Sequence, residues 1–265
     1  MIYGMPTLLE LDTLEANVQL CKTLGLDFVE INMNMPQFQP EALTAAHLNK
    51  LKEIYGISLT FHLAEDIDIG HFNAGIRQAY FENIEAALAL MMAVDSPLLN
   101  MHMMRGIHFT LPSGKRFLYE QYRETYLANI MAFRECADHL LNGTTIKIGI
   151  ENTGHYDHAF LRAGVELLLE SPVFALTHDI GHDAISNGND AKFMMKHEAA
   201  VHHYHIHDAL EGRDHMTFYD GSLPIDAYFK KAAHQNASAV IEVKTIEALK
   251  ESVERMRYRG YFTSF

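Results

Sequence analysis

The chain has 265 residues, with 34 Asp and Glu against 21 Lys and Arg, a formal net charge of −13 with histidine neutral, and 48% hydrophobic residues. The hydrophobic fraction excludes global disorder. The acidic balance argues against a protein that coats nucleic acid, although it leaves room for a local basic cleft. The chain also holds 17 histidines and no tryptophan, so the positions of the histidines are the first question.

The N-terminus and the cysteines bear on the cellular compartment. The first residues lack a basic region and reach an acidic residue at Glu10, so we expect no signal peptide. No apolar run approaches the ~18 residues of a transmembrane helix. Cys21 and Cys136 lie in apolar, helix-like stretches, where we expect buried free thiols rather than a disulfide framework. These features predict a cytoplasmic protein that does not enter a membrane.

Short apolar, β-branched or aromatic runs alternate with longer amphipathic stretches along the chain. The eight predicted strands are Ile2–Met5, Phe28–Met33, Ser58–Leu63, Leu98–Met103, Ile146–Glu151, Phe174–Asp179, Val201–His207 and Ala239–Val243. The eight predicted helices are Leu14–Leu24, Pro40–Tyr55, Gln78–Val94, Tyr119–Leu141, Phe160–Leu169, Asp190–Ala200, Ile225–Ala233 and Ile246–Tyr258. Gly25, Gly56 and Gly143 stand where helices commonly end.

This alternation predicts an α/β fold, a closed (β/α)8 TIM barrel that forms a single domain over residues 1–265. An open, doubly wound parallel sheet is the competing arrangement. Such a sheet usually carries a glycine-rich phosphate loop after its first strand, and Tyr3-Gly4-Met5-Pro6 is not such a loop. The segment order therefore favours the barrel.

Polar side chains concentrate where the predicted strands end. In a barrel, these ends converge on one mouth, where the active site lies. Glu151, Asp179 and Glu242 end strands five, six and eight. Nine of the 17 histidines lie on strand ends or just after them: His62, His102, His178, His182, His202, His203, His205, His207 and His215.

This joint pattern of carboxylates and imidazoles predicts a divalent cation of the zinc, manganese or cobalt type. Three carboxylates buried in one mouth would cost several kcal/mol without a compensating cation. No organic cofactor is indicated. A single histidine near a strand end is more often a hydrogen-bonded core residue, and that interpretation stays open for His202, His203 and His207. Because successive side chains of a strand point to opposite faces, His203, His205 and His207 share one face of strand seven.

Four short motifs, in order on consecutive predicted strands, resemble the xylose isomerase-like barrel superfamily. This superfamily holds sugar-phosphate isomerases and epimerases and also the abasic-site endonucleases. Single motifs of this length are weak, whereas four in this order are specific. They are Ile150-Glu151-Asn152-Thr153, Asp179-Ile180-Gly181-His182, His205-Ile206-His207-Asp208 and Ile241-Glu242-Val243.

The resemblance implies a set of metal ligands. Glu151, Asp179, His205 and Glu242 would hold the metal that the superfamily shares, with His182 nearby. Many sugar-acting members and the endonucleases alike carry further histidines at the ends of strands three and four. The corresponding residues, which would supply a second metal in the endonuclease branch, are His62 and His102.

A third metal, as in the endonuclease branch, would use His182 and His215. The aspartate of that branch corresponds to Arg213 here, and Asp214 is one residue off. Because an arginine beside the metal would be repulsive, the sequence does not predict a full trinuclear site.

Two segments are candidates for substrate binding. The stretch Met103–Arg116 carries Arg105, Lys115 and Arg116, and is either a solvated loop or a cover that holds a phosphate over the mouth. Arg213 is the other candidate, because a guanidinium suits phosphate, carboxylate or sugar hydroxyls.

The leading functional hypothesis is a metal-dependent isomerase or epimerase of a small sugar, sugar phosphate or related hydroxy-carbonyl compound. Glu151 and Glu242 would transfer protons, and His182 would hydrogen-bond a substrate oxygen. A metal-dependent endonuclease or phosphodiesterase is the alternative, which the acidic charge makes less favourable. A non-catalytic metal-binding barrel is the third. The expected partner is a small polyol or sugar, and the oligomeric state stays open.

Overall fold

The computed structural model of the protein describes residues 1–261. Eight parallel strands pair in the order in which they follow one another along the chain, and the first and last also pair, Tyr3 opposite Ala239 and Gly4 opposite Val240. We name them β1 (Tyr3–Pro6), β2 (Phe28–Asn32), β3 (Ser58–His62), β4 (Leu98–His102), β5 (Lys147–Glu151), β6 (Phe174–Asp179), β7 (Val201–Ile206) and β8 (Ser238–Ile241). This closure confirms the predicted (β/α)8 barrel and excludes the open sheet.

Helices connect the strands, and several of them start after a residue whose side chain accepts from a free backbone N–H group. The Thr13 side chain accepts from the Ala16 N–H at 3.2 Å, and the Thr245 side chain accepts from the Ala248 N–H at 3.1 Å. The α-helices are Leu14–Thr23, Ala45–Tyr55, Ala74–Ala93, Leu118–Gln121, Arg123–Leu140, Ala159–Leu169, Ile180–Ile185, Ala191–Lys196, Ile225–His234 and Ile246–Tyr258. The 3₁₀ helices are Pro36–Phe38, Pro40–Ala42 and Glu198–Ala200.

Three predicted helices are shorter than expected or interrupted in the structure, and the helix expected over Gln78–Val94 begins earlier, at Ala74. The helix expected over Pro40–Tyr55 begins only at Ala45, because Thr44 accepts from the His47 N–H and caps it there. The helix expected over Tyr119–Leu141 is interrupted at Tyr122, whose φ of −117° and ψ of 46° are not helical. The helix expected over Asp190–Ala200 ends at Lys196 and is followed by a 3₁₀ turn.

Two antiparallel hairpins follow the C-terminal ends of barrel strands and were not predicted. The first hairpin pairs His108–Leu111 with Gly114–Phe117 and lies within the stretch expected to be a loop. The second hairpin pairs Asp208–Leu210 with Arg213–Met216 directly after β7. Both therefore lie on the side of the barrel where its mouth opens.

The apolar core includes side chains from the helices that surround the barrel. Met91 is fully buried in this core, whereas its neighbour Met92 is largely exposed. Cys21 is buried as expected, but Cys136 is only partly buried, with its Sγ 3.3 Å from Oε1 of Glu85. Both cysteines are free. Between residues 1 and 261, no helix is both long enough and apolar enough to cross a membrane.

Candidate metal centre

The barrel brings together the four residues that the resemblance assigned to the shared metal. Glu151 and Asp179 are the last residues of β5 and β6, His205 lies near the end of β7, and Glu242 follows β8 directly. One ligand atom from each of the four lies within 4.8 Å of the others. Three carboxylates and one imidazole form a donor set that suits zinc, manganese or cobalt. We call these four residues the metal cluster.

Buried atoms without partners support this assignment. Nδ1 of His205 lies 3.0 Å from Oε2 of Glu242 and 3.2 Å from Oε2 of Glu151. Nevertheless, in the described part of the chain neither His205 Nδ1 nor Glu242 Oε2 has a hydrogen-bond partner with suitable geometry. An unsatisfied buried polar atom costs about 1–3 kcal/mol. A cation shared by these atoms would satisfy them, so the residues present fit a divalent metal.

Glu151 is the most crowded member of the metal cluster. Its Oε2 lies 3.2 Å from Nε2 of His62 and 3.3 Å from Nε2 of His102, and it accepts a hydrogen bond from Asn100. Burial alone would raise the pKa of Glu151, but the neighbouring imidazoles of His205 and His102 hold that pKa well below its usual range. Glu151 is therefore an ionised carboxylate at neutral pH.

The imidazoles around the carboxylates show the reverse effect. Burial would lower their pKa, but the charge and hydrogen bond of Glu151 raise the pKa of His62 to about 9. Asp179 and Glu151 together raise the pKa of His182 to about 10. In the absence of a cation, protons on these imidazoles balance the carboxylates. A metal and protons therefore compete for the same groups.

Asp179 combines its place in the metal cluster with a structural role. Its Oδ1 accepts from the backbone N–H of His182 at 2.6 Å and so caps the helix Ile180–Ile185. Burial would raise the pKa of Asp179, but the adjacent His207 and His182 lower it. The carboxylate is thus fixed in place and ionised.

A further group of ligand atoms lies beside the metal cluster. Atoms of His182, Asp214 and His215 lie within 4.8 Å of one another. Asp214 and His215 belong to the second hairpin, and the Arg213 side chain next to them is exposed. The structure thus brings Asp214, rather than the residue at position 213, to the two histidines. The offset of one residue does not keep a carboxylate away from this group.

The two arginines expected to bind substrate lie at the periphery. Arg105 is exposed in the segment before the first hairpin, and Arg213 is exposed on the second. Burial lowers the pKa of His155, and the nearby positive charge of Arg105 lowers it further. Within residues 1–261, neither arginine forms an ion pair with the metal cluster.

Two charged residues of the site were not among the predicted site residues. Nζ of Lys244 lies 3.2 Å from Oε1 of Glu242, two positions earlier in the chain. Glu30, buried on β2, places its Oε1 2.9 Å from Nε2 of His205. A glutamate in the middle of the apolar run Phe28–Met33 was the signal available for Glu30. For Lys244, the signal was its position just beyond a predicted ligand.

Solved structures with a similar fold are known. A structure described as a D-tagatose 3-epimerase-like protein is 21% identical, covers 97% of this chain and 96% of its own, and has a TM-score of 0.77. D-psicose 3-epimerase with D-tagatose from Clostridium cellulolyticum H10 is 14% identical, covers 98% and 99%, and has a TM-score of 0.75. IolI protein with a bound zinc atom is 13% identical, covers both chains fully, and has a TM-score of 0.73.

At these identities the likeness of the structures establishes the fold alone. No curated protein matches the chain significantly in sequence. A family model does match, over residues 18–259 and so over most of the chain, and it describes the xylose isomerase-like TIM barrel. The match confirms the resemblance found in the four strand-end motifs. The chain therefore belongs to the xylose isomerase-like TIM barrel family.

Proposed function

We propose that this protein is a divalent-metal-dependent isomerase or epimerase of a small sugar, sugar phosphate or related hydroxy-carbonyl compound. The observation that carries the proposal is the metal cluster at the barrel mouth, with two glutamates among its four members. Several proteins of the same fold are described as sugar epimerases, one of them with D-tagatose, and another holds zinc. These descriptions support the choice of substrate class and of metal.

A divalent cation bound at the metal cluster would supply a Lewis acid for a carbonyl oxygen and its neighbouring hydroxyl, and would stabilise the charge of an enediolate. Glu151 and Glu242 come from β5 and β8, which β6 and β7 separate in the closed barrel. They therefore approach the centre from different sides. One can take a proton from a carbon while the other returns a proton to the opposite face, which inverts that carbon.

The environment of the two glutamates suits this exchange. Burial would raise the pKa of Glu242, but His205 and Lys244 hold it well below its usual range. Both glutamates are thus ionised before substrate binds, so either can accept the proton from carbon, and the one that returns a proton must first take it up from solvent. The Glu242 side chain is 12% exposed and that of Glu151 only 1%, so Glu242 is more accessible from the mouth.

His182 is the third catalytic candidate. Its Nδ1 lies 3.3 Å from Oε1 of Glu151 and 3.2 Å from the backbone oxygen of Asn152. These contacts hold one edge of the ring inside the barrel, and the side chain is 20% exposed. We assign Nε2, on the opposite edge, to a hydrogen bond with a substrate oxygen.

The test is proton exchange at carbon. The protein is loaded with zinc, manganese or cobalt and incubated in D₂O with D-tagatose, D-fructose and their C3 epimers, and NMR follows both deuterium incorporation and interconversion. We expect deuterium at the inverted carbon. Glu151→Gln and Glu242→Gln should each lower incorporation by about 10²–10⁴-fold, and a variant that keeps full exchange would remove that glutamate from the proton-transfer role.

One alternative has its own structural support. His62 and His102 surround Glu151, and His182, Asp214 and His215 form a further group of potential ligands. A metal-dependent endonuclease of the abasic-site type would use such additional sites. It predicts at least two tightly bound metals per chain and cleavage of abasic-site DNA. One metal per chain together with sugar interconversion would favour the isomerase, and the net charge of −13 already disfavours DNA as the partner.

A further inference from the structure

His207 lies beside the metal cluster, and the proposed function gives it no role. It follows β7 directly, and its side chain is fully buried. Both of its ring nitrogens have partners. Nε2 lies 3.1 Å from each carboxylate oxygen of Asp179, and the backbone N–H of His215 donates to Nδ1 over 2.7 Å.

These two contacts determine the tautomer of His207. Nδ1 also lies 3.4 Å from the backbone oxygen of Asp208, but its contact with the backbone N–H of His215 is much shorter, so Nδ1 presents a lone pair rather than a proton. The proton is therefore on Nε2, which donates to Asp179. The same argument makes His207 a poor metal ligand, although one of its ring nitrogens lies within 4.8 Å of ligand atoms of His215 and Glu242.

The surroundings of His207 hold its ring in this orientation. A Cβ atom at Gly181 would lie 1.9 Å from Cε1 of His207, so any larger residue at position 181 would displace the ring. The ring of His215 stacks against that of His207, with centroids 4.1 Å apart and planes inclined by 27°. The absence of a side chain at Gly181 thus provides the space in which His207 meets Asp179.

We propose that His207 is a positioning residue for Asp179 and that it links the second hairpin to the metal cluster through Nδ1. The inference rests on the proposed function only in taking Asp179 as a metal ligand. Partners that orient a ligating group typically contribute about 10–100-fold to metal affinity. His207 would orient a carboxylate in this way and would also fix the position of His215, whose backbone it binds.

The first experiment compares zinc affinities by competition with a chromophoric chelator. His207→Phe retains an aromatic ring but can neither donate nor accept, so we expect its zinc dissociation constant to rise about 10–100-fold. His207→Gln retains one donor and one acceptor and should lose less. The matched control is His178→Phe, the same change on β6 at a ring packed against Tyr204 and Tyr228, and its zinc affinity should equal that of the wild type.

The second experiment does not depend on a folded variant. A long-range ¹H–¹⁵N NMR spectrum of the zinc-loaded wild type should show the His207 proton on Nε2 and none on Nδ1. A proton on Nδ1, or zinc bound to either ring nitrogen of His207, would overturn the proposal.

The outcomes separate this inference from the proposed function. A wild-type protein that binds no divalent metal contradicts the proposed function, and the tautomer of His207 in the metal-free protein then decides whether it donates to Asp179. Wild-type zinc binding with unchanged affinity in folded His207→Phe refutes the positioning role and leaves the proposed function standing. If His207→Phe binds one zinc fewer per chain than the wild type, the positioning role is also refuted, because His207 would then be a zinc ligand.

Discussion

His182 at the barrel mouth and His178 on β6 are four residues apart and largely buried, yet the pKa of the two imidazoles shifts in opposite directions. Asp179 and Glu151 outweigh burial and raise the pKa of His182 to about 10. His178 instead lies between the barrel and the outer helices, where burial, with Lys231 nearby, lowers its pKa to about 4. At neutral pH the imidazole of His182 is thus charged, whereas that of His178 is neutral.

The neighbours of the two histidines explain this difference. At the mouth, carboxylates surround His62, His182 and His205 and stabilise a positive charge on these imidazoles, and a metal could supply that charge instead. The ring of His178 instead lies 5.5 Å from that of Tyr204 and 5.6 Å from that of Tyr228, measured between centroids. Within residues 1–261, neither ring nitrogen of His178 has a hydrogen-bond partner. The environment of His182 thus favours a charged imidazole, whereas the environment of His178 favours a neutral one.

The largest effect should come from removing a carboxylate at the mouth. Glu242→Gln keeps the shape of the side chain but can neither accept the proton nor carry the ligand charge. We expect deuterium exchange into the substrate to fall by about 10²–10⁴-fold, the usual contribution of a general base. Glu247→Gln, an exposed change on the last helix, is the control and should retain full exchange. Equal rates in the two variants would refute the role of Glu242.

Removal of the metal should lower the stability of the folded protein, because the proposed metal binds at the mouth of the barrel. At free zinc a thousand times its dissociation constant, binding stabilises the folded state by about 4 kcal/mol. A chelator should therefore lower the melting temperature, as measured by calorimetry. The shift should be larger at pH 8 than at pH 6, because the raised pKa of His205 means that protons must leave before the metal binds. An identical melting temperature with and without zinc would contradict the metal centre.

His178→Phe tests whether the imidazole between the barrel and the outer helices is neutral in the folded protein. The folded-state pKa of His178, about 4, is below the ordinary 6.5, so the unfolded chain takes up the proton first as the pH falls. The stability that neutral His178 contributes is present above pH 6.5 and is lost as the pH falls towards 4. Between pH 7 and pH 5 the wild type should lose about 2 kcal/mol more than His178→Phe.

Urea denaturation of both proteins at each pH measures this difference. Measurements in the presence of a chelator keep the metal from contributing. A constant gap between the two proteins over the whole range would show that His178 does not stay neutral when folded.

The same contrast explains how much could be predicted from the sequence. The strand Phe174–Asp179 and the helix Ile246–Tyr258 match the structure residue for residue, because the strand is buried on both faces and the helix on one, and the apolar pattern of the sequence records this. The geometry of a barrel predicts that the polar strand ends converge, and the resemblance to the family is what selects the four motif residues among them. The family match confirms this fold, whereas the catalytic and metal roles of these residues stay predictions.

The features that were missed leave no apolar pattern in the local sequence. The first hairpin is mostly exposed, so it has no buried face that would leave a pattern. The His207 side chain meets Asp179 on a neighbouring strand, and Gly181 leaves the space for it. Nothing in the local sequence distinguishes that histidine from a core residue. The contact between His207 and Asp179 becomes evident only from the three-dimensional structure.

The smallest effect on activity should come from Arg213, at the solvent-exposed edge of the mouth. Arg213 is exposed on the second hairpin and makes no ion pair within residues 1–261. Because water screens an exposed guanidinium, its contact with an anionic substrate should contribute about 1 kcal/mol or less. Arg213→Ala should therefore raise KM by about fivefold or less and leave kcat unchanged, which steady-state kinetics can separate. Arg105→Ala, on the other side of the mouth, provides a parallel measurement. A large fall in kcat for Arg213→Ala would instead mean that the hairpin brings Arg213 to the reacting atoms, because a contact formed equally in the ground state and the transition state changes KM alone.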